Sequence, residues 1–322
     1  MAASISPLFL TIGILLGLTT LTGILANVSV LLVVYWNRSL QTQINMLLVS
    51  LAVADLGVAA SCVPFAITTV FLQSNGISDN FCQFSGFLNL FFALASTSMM
   101  VCISASQYSS VTSPMKKSMT NTNCFMIVLC GWITSFVIAL GPIMRWGRYE
   151  FTDTIYDCNA AHTTRTLEMS YNITLMVYAF ALPFLTMLLT YTAILRAFRD
   201  QSAHLLRTES IMSTSQSSMN VSISVETKIF FTVVIVVVTF LLCRTPFFIY
   251  LFLITMRVIS SSDFLGQLAF WAIYLHSATD PFIYAFKHVE YRDTLNEIQM
   301  NINKTFKSLF VKDSDYTQAI EE

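Results

Sequence analysis

The sequence predicts an all-α membrane protein, a seven-transmembrane helix bundle with a short amphipathic eighth helix. The first observation is composition, because 55% of the 322 residues are hydrophobic and only 11% are charged. A soluble domain carries about 25% charged residues. The second is a series of seven apolar stretches, each with room for the roughly 20 residues that cross a bilayer core. The third is an amphipathic pattern after the last stretch.

The seven apolar stretches have interiors with almost no charge. They lie near residues 8–35, 43–71, 83–110, 123–144, 171–197, 228–256 and 264–286. The charged exceptions are Asp55, Arg244 and Asp280. Strands of a membrane barrel are shorter and alternate in polarity, a pattern that this chain lacks. The first stretch has no basic flank before it and no clear cleavage site, so we expect it to remain as a signal anchor.

The basic residues predict how the chain is oriented. The N-terminus and residues 72–82, 145–170 and 257–263 hold four, which are Arg145, Arg148, Arg165 and Arg257. The opposite side holds twelve, which are Arg38, Lys116, Lys117, Arg196, Arg199, Arg207, Lys228, Lys287, Arg292, Lys304, Lys307 and Lys312. Cytoplasmic loops carry the excess of Lys and Arg. We therefore expect a multi-pass plasma-membrane protein with its N-terminus outside and its C-terminus in the cytoplasm.

The segments outside the apolar stretches divide the chain further. We expect a short extracellular N-terminus at 1–7, a transmembrane domain at 8–286, and an amphipathic helix with a cytoplasmic tail at 287–322. Within the domain, residues 200–224 form a Ser-rich third cytoplasmic loop, interpreted either as a solvated linker or as a phosphorylation segment. The eighth helix is predicted from apolar residues at helical spacing, which are Tyr291, Leu295, Ile298, Ile302 and Phe306.

Two of the seven cysteines lie at the predicted outer face. Cys82 precedes the third apolar stretch and Cys158 lies in the 145–170 segment, whereas the others lie inside helices. The outer face is the oxidising side of the membrane, so these two form the candidate disulfide. The alternative is two free thiols. A disulfide would join the long outer loop to the top of the third helix.

Seven landmarks occur in order, one on each predicted helix. They are Asn27 with Val30, Leu51-Ala52-Val53-Ala54-Asp55, Cys82, Trp132, Pro183 with Tyr191, Phe240 with Cys243-Arg244-Thr245-Pro246, and Asp280-Pro281-Phe282-Ile283-Tyr284. In this arrangement the chain resembles a rhodopsin-like (class A) G-protein-coupled receptor of orphan type over nearly its whole length. The resemblance implies a receptor that passes a ligand signal to a cytoplasmic G protein and to arrestin.

Two branches of that family do not fit. Retinal is held through a lysine in helix 7, and the matching position here is Tyr274. We therefore expect no retinal and no other cofactor. The family's amine-binding aspartate in helix 3 is replaced by Asn89, so a cationic amine finds no counter-charge there.

The cytoplasmic face departs from the family pattern. The Asp-Arg-Tyr triplet at the end of helix 3 reads Ser106-Gln107-Tyr108. The acid that pairs with the arginine in relatives is matched by Glu226, to which Gln107 offers no charge. Either elevated basal activity or poor coupling follows. The other predicted residues of this face are Tyr191 and Tyr284, expected to swing inward in the active state.

The middle of helix 6 also departs, because Arg244 replaces a ligand-sensing tryptophan. A mid-membrane arginine is unfavourable by about 2.5 kcal/mol or more unless it is paired. Asp55 and Asp280 match acids that hold sodium in relatives, with Ser96, His276 and Ser277 nearby. We hypothesise that Arg244 reaches both acids and replaces the sodium ion, which would leave one negative charge to balance. A proton, His276 or a residual cation, such as sodium near the two acids, would balance that charge. The alternative is an arginine that only supports packing with one acid and has no role in signalling.

The family's ligand pocket maps onto apolar and aromatic positions. They are Phe65, Asn89, Ala93, Leu175, Phe247, Phe248, Leu251, Phe270, Trp271 and Tyr274, with Gln267 near the rim. Such a lining suits a neutral hydrophobic molecule or a lipid. Ordinary helix packing explains the same stripe equally simply. The 145–170 loop carries both charge signs and is a candidate lid or peptide contact.

Other functions are weaker interpretations. No nucleophile motif or metal spacing predicts an enzyme, and the net charge of −1 gives no reason to expect nucleic acid. The missing arginine at Gln107 leaves open a non-coupling decoy or a receptor that modulates others as a heteromer. An ion or proton transporter using Asp55, Arg244, His276 and Asp280 is a third reading, against which the absence of inverted repeats argues. Membrane lipids are expected partners throughout.

Overall fold

The computed structural model describes residues 7–72, 78–112, 120–152, 157–161, 166–209, 216–256, 258–259, 263–287 and 290–304. Within these ranges, side chains are not described for residues 7–10, 12, 62–72, 110–112, 157, 198, 201–209, 216–234, 263 and 284–287. The predicted Phe65, Glu226 and Tyr284 side chains and the Phe306 position therefore lie outside the described residues.

Seven long helices form the bundle. They are α1 (Pro7–Trp36), α2 (Gln43–Leu72), α3 (Asp79–Thr112), α4 (Asn121–Ala139), α5 (Thr166–Met176, the π-helical turn Val177–Ala181, and Leu182–Glu209), α6 (Gln216–Thr255) and α7 (Asp263–Lys287). An eighth helix, α8, covers 290–304. Helix α3 is central and contacts α2, α4 and α5, while α7 packs between α1 and α6.

Six of the helices within the described ranges are long and apolar enough to cross a membrane. They are α1 to α6. Helix α7 is the exception because its inward face carries polar residues, among them Gln267, His276 and Asp280, which are buried inside the bundle. The all-α bundle predicted from the sequence is confirmed, with one small addition of β structure described below.

Several boundaries differ from the sequence-based expectation. Helix α4 ends at Ala139, five residues before the predicted end, and a chain of turns follows through Gly141 and Pro142. Proline disfavours a helical conformation at the residue before it and has no amide N–H to donate. The predicted Ser-rich loop at 200–224 is largely helical, because α5 continues to Glu209 and α6 begins at Gln216.

The π-helical turn in α5 has a local cause. Pro183 lies two residues after its end and has no N–H with which to continue the regular ladder. The Leu182 N–H instead bonds the carbonyl of Val177, five residues back. The wider turn changes the direction of the side chains that it carries. Tyr178, within it, points toward α3 and α4.

Helix α8 packs against the ends of α1 and α2. Tyr291 and Ile298 are buried there with Val30, Val33 and Ala52. The Tyr291 hydroxyl and the Ser29 hydroxyl lie 2.8 Å apart, and Asn37 donates to the Thr294 hydroxyl at 2.9 Å. Burial raises the pKa of the Tyr291 hydroxyl, so it stays protonated as a hydrogen-bond partner. Ile302, one turn beyond Ile298 on the predicted apolar stripe, is exposed.

Candidate functional site

The end of the bundle opposite α8, which the basic residues predict to be the outer end, is covered by an antiparallel hairpin. Its strands are β1 (Tyr149–Thr152) and β2 (Asp157–Ala160), and Phe151 pairs with Cys158. The predicted disulfide is confirmed, since Cys158 is bonded to Cys82 at the top of α3 with their Cα atoms 5.3 Å apart. The strands described within the 145–170 loop, which the sequence suggested as a lid, thus form a hairpin attached to α3.

Hydrogen bonds attach the hairpin to three helices. The buried Tyr149 hydroxyl donates to the Ala139 carbonyl of α4 at 2.7 Å. Gln83 of α3 donates to the Tyr149 carbonyl at 2.6 Å, and Asn172 of α5 donates to the Ala161 carbonyl at 3.1 Å. Burial raises the pKa of the Tyr149 hydroxyl far above its usual value, so this donor remains protonated. The hairpin is therefore fixed to α3, α4 and α5 together.

The carboxylate of Glu150, in β1, is paired close by. Arg148 lies 2.7 Å from the carboxylate of Glu150 and 3.5 Å from that of Glu168, which is buried at the start of α5. One guanidinium thus faces two carboxylates. The mixed charge of the 145–170 segment, noted from the sequence, includes this internal ion-pair network.

The described residues of the predicted pocket, apart from Asn89 and Trp271, fall into two apolar clusters beneath the hairpin. The first lies between α2, α3, α6 and α7 and contains Val58, Phe270 and Tyr274, with Ala93 and Phe247 packed against them. The second lies between α3, α5 and α6 and contains Leu175, Phe248 and Leu251. Phe247 contacts both clusters. Ala160 of β2 belongs to the second cluster, so the hairpin covers it directly.

Few polar groups enter these clusters. Asn89 of α3 donates to the Tyr274 hydroxyl at 3.1 Å, and both side chains are buried. The Trp271 indole N–H is buried and has no hydrogen-bond partner within the described ranges. The same holds for both polar atoms of the Gln267 amide. The sequence places Gln267 only near the rim of the predicted pocket, yet this residue is buried, with 5% relative exposure.

A buried polar core lies one helical turn deeper. Ser96 of α3 donates to Asp55 Oδ1 of α2 at 2.8 Å, and Ser277 lies beside the same carboxylate. Asn27 of α1 donates to the Ser277 carbonyl at 3.0 Å. The structure thus brings predicted residues of four helices together around Asp55. Asn27 of α1 adds a fifth helix to this core.

Arg244 lies in this core without a direct ion pair. In the part of the chain that the structure describes, the ion pairs within 4.0 Å are those of Arg148 and one between His276 and Asp280. Arg244 is 3% exposed and its Nε has no partner there. It remains within electrostatic range of Asp280 and Asp55. The hypothesis that it replaces sodium stays a prediction, and direct contact with the two acids is not formed in this conformation.

Among the described basic side chains, His276 is the one that lies within 4.0 Å of Asp280. Its Nδ1 lies 3.3 Å from Asp280 Oδ2, one turn along α7, without hydrogen-bond alignment. Asp280 also lines a small cavity between α1, α2, α7 and α8. No group of three or more His, Cys, Asp or Glu side chains within the described ranges is arranged to hold a metal ion.

The opposite end of the bundle holds the predicted G-protein face. Ser106 is buried, Gln107 is half-buried and Tyr108 is 38% exposed. Tyr191 of α5 points into the bundle, is 3% exposed, and accepts a hydrogen bond from Ser104 of α3 at 3.2 Å. Ser104 was missed from the sequence. A single serine within the apolar helix α3 predicts no contact until α5 is placed beside it.

A second missed network lies within the bundle. The Tyr178 hydroxyl in the π-helical turn lies 3.0 Å from the Ser98 hydroxyl and 2.9 Å from that of Thr134. Phe180 in the same turn stacks on Phe240 and Phe248. The π-helical turn is what turns Tyr178 toward α3 and α4, and the sequence signal for it was Pro183 alone.

Comparison with known proteins agrees with this arrangement. Residues 26–284 match the family described as "7 transmembrane receptor (rhodopsin family)". The "High-affinity lysophosphatidic acid receptor" of Xenopus laevis is 28% identical over 94% of this chain and 85% of its own length. The human "Probable G-protein coupled receptor 45" is 27% identical with the same coverage.

A solved structure of squid rhodopsin has the same fold, with a TM-score of 0.78 and 20% identity over 91% of this chain and 86% of that one. At that identity the likeness concerns the fold alone. The family match covers most of the chain and includes every helix that lines the polar core. The chain therefore belongs to the rhodopsin family of seven-transmembrane receptors and is a G-protein-coupled signalling receptor.

Proposed function

We propose that this receptor lies in the plasma membrane, binds a hydrophobic or lipid-like ligand beneath its outer hairpin, and signals to G protein and arrestin at the end that carries α8. The excess of basic residues on that end supports a cytoplasmic location. Epitope tags at the two chain ends, read in intact and in permeabilised cells, test the orientation. Tags found on the same side contradict it.

The observation that carries the proposal is the position of Phe247. It contacts both apolar clusters beneath the hairpin, and it lies one helical turn from Arg244 in the polar core. A ligand that displaces Phe247 would move the same face of α6 that carries Arg244. Because the polar core joins α2, α3, α6 and α7, such a movement is passed to helices that reach the opposite end.

Two observations support a lipid-like ligand without a cofactor. Both clusters consist of apolar and aromatic side chains, and Asn89 beside them is bonded to the Tyr274 hydroxyl. The printed name of one relative refers to lysophosphatidic acid, an amphiphilic lipid. Tyr274 fills the position at which rhodopsins carry their retinal-binding lysine, so we propose that this receptor works without retinal.

Coupling through Gln107 is the part of the proposal that most needs an experiment. A neutral amide forms a weaker bond to an acid than a bidentate arginine does, so the resting state lacks one restraint. We expect wild-type receptor to recruit G protein without added ligand, and Gln107→Arg to reduce this recruitment several-fold. Gln107→Met, which is similar in size and uncharged, is the matched control and is expected to behave like wild type.

The outcome of that assay separates the proposal from its competitor. Recruitment by Gln107→Arg alone, with none by wild type, contradicts it and favours a non-coupling receptor. Arrestin recruitment is proposed through phosphorylation of the Ser- and Thr-rich stretch before and at the start of α6, where phosphate adds charge. Its measurement is arrestin binding before and after phosphatase treatment of activated cells.

A further inference from the structure

The outer part of α7 buries polar groups that the protein leaves unpaired. Both polar atoms of the Gln267 amide lack a hydrogen-bond partner in the described part of the chain, although the residue is only 5% exposed. One turn further, the buried Trp271 indole N–H has none either. Buried amides and indoles are nearly always paired, because burying them unpaired is unfavourable. A partner for these groups is therefore missing.

The unpaired groups lie on the same side of α7 as Phe270 and Tyr274 of the predicted pocket. Gln267, Phe270, Trp271 and Tyr274 are spaced three, one and three residues apart, which places them on one helical stripe. Phe270 and Tyr274 of this stripe pack in the first apolar cluster. The polar atoms thus adjoin an aromatic surface, which is the arrangement that recognises a molecule with a polar head and an apolar body.

The charges nearby argue against an ionised head. Arg148, directly before β1, already lies within 3.5 Å of two carboxylates, and Arg145 is exposed to the surface and not directed into the clusters. Arg244, below the clusters, lies in the field of Asp280 and Asp55. Among the described residues that face the clusters, two acids against one arginine therefore leave no surplus positive charge for a phosphate or a carboxylate. The amide and the indole together offer donors and one acceptor, which match a neutral head.

We propose that Gln267 and Trp271 bind the uncharged polar head of an amphiphilic ligand, one that carries both a carbonyl and a hydroxyl or amide N–H. The carbonyl accepts from the Gln267 amide and the Trp271 indole, and the donor of the head bonds Gln267 Oε1. The acyl chain packs along Phe270 and Phe247. This inference rests on the proposed ligand site beneath the hairpin and narrows its ligand to neutral acyl amides and acyl glycerols.

The test uses full-length receptor in lipid nanodiscs and three probes with the same acyl chain. They are N-oleoylethanolamine, which is neutral, and oleic acid and oleoyl lysophosphatidic acid, which are anionic. We expect the neutral probe to raise the Tm of the wild type and the anionic probes to leave it within error. Equal or larger shifts with either anionic probe, or no shift with the neutral one, overturn the proposal.

Variants separate a ligand anchor from a structural role. Gln267→Leu removes an unpaired amide, so it is expected to raise the Tm without ligand while it weakens binding of the neutral probe at least tenfold. Trp271→Phe keeps an aromatic ring but removes the indole N–H donor. It is expected to lower the affinity for the neutral probe several-fold. Gln299→Leu, at an exposed position on α8, is the matched control and leaves binding unchanged. A lower Tm for ligand-free Gln267→Leu shows an amide already paired inside the protein and overturns the proposal.

The readout is independent of signalling. Binding that depends on Gln267 without G-protein recruitment supports this inference and contradicts the proposed coupling. G-protein recruitment by wild type, together with failure of the neutral probe to bind, supports the proposed coupling and contradicts this inference.

Discussion

Ser104 of α3 donates a hydrogen bond to the hydroxyl of Tyr191 of α5, with the two oxygens 3.2 Å apart in a buried contact. The bond lies near the end of the bundle that carries Gln107, where α3 is proposed to meet its G protein. It joins the two helices at a place otherwise lined by apolar side chains such as Met187 and Ile194.

The first prediction concerns this bond. Ser104→Ala and Tyr191→Phe each remove one partner, and each is expected to lower the free energy of unfolding by about 1 kcal/mol. The double variant should cost less than the sum of the two single variants, because the bond is lost only once. Thermal unfolding of the purified receptor measures all four corners of the cycle. Strictly additive losses would mean that the two hydroxyls do not interact.

The second prediction concerns charge in the polar core. Arg244→Trp leaves Asp55 and Asp280 without the nearby cation, so sodium is expected to stabilise the variant and not the wild type. A ligand present at about 100 times its Kd adds about 2.7 kcal/mol to the free energy of unfolding. The measurement is Tm in sodium chloride against choline chloride at equal ionic strength. Arg244→Lys retains the charge and is the control.

Signalling should be measured on the same variants. If Arg244→Trp changes neither its sodium response nor its basal G-protein recruitment, then the arginine only supports packing. That result would remove the hypothesis that it replaces an ion.

The third prediction concerns the close approach of α2 and α3. A Cβ added at Gly57 would overlap the ring of Phe92, whereas one added at Gly17 meets nothing within 4 Å. Gly57→Ala is therefore expected to destabilise the receptor by about 1–3 kcal/mol through overpacking. Gly17→Ala, in the same kind of helix, is the control and is expected to be neutral or slightly stabilising. Equal Tm values for the two variants would show that the Phe92 ring moves aside freely.

The fourth prediction concerns the disulfide. Cys82 and Cys158 are separated by 76 residues in sequence, and loss of such a cross-link is expected to cost about 2–5 kcal/mol. Cys82→Ser should therefore lower the Tm and the amount of folded receptor at the cell surface. Cys130 is exposed and unpaired, so Cys130→Ser is the matched control. A Tm for Cys82→Ser that matches the control would remove any stabilising role of the cross-link.

The sequence predicted the helices better than their ends and contacts. Apolar length identifies a spanning helix, but the end of α4 depends on Gly141 and Pro142, which the apolar run passes over. The hairpin escaped prediction because its strands are only four residues long and pair across a loop. Helical register placed Asp55, Ser96 and Asp280 correctly in one core. Helical register does not determine how far a long side chain reaches. The distance from Arg244 to the two acids therefore could not be predicted from the sequence.

The hairpin has a mechanical consequence for the outer end of the bundle. Cys158 is covalently joined to α3, and only three residues later the Ala161 carbonyl is held by Asn172 of α5. This short piece of chain acts as a strut of nearly constant length between the two helices. If α5 moves away from α3, either the Asn172 bond breaks or the strut tilts and carries Tyr149 away from α4. Rearrangement at the outer ends of α3, α4 and α5 is thereby a concerted event and not three separate ones.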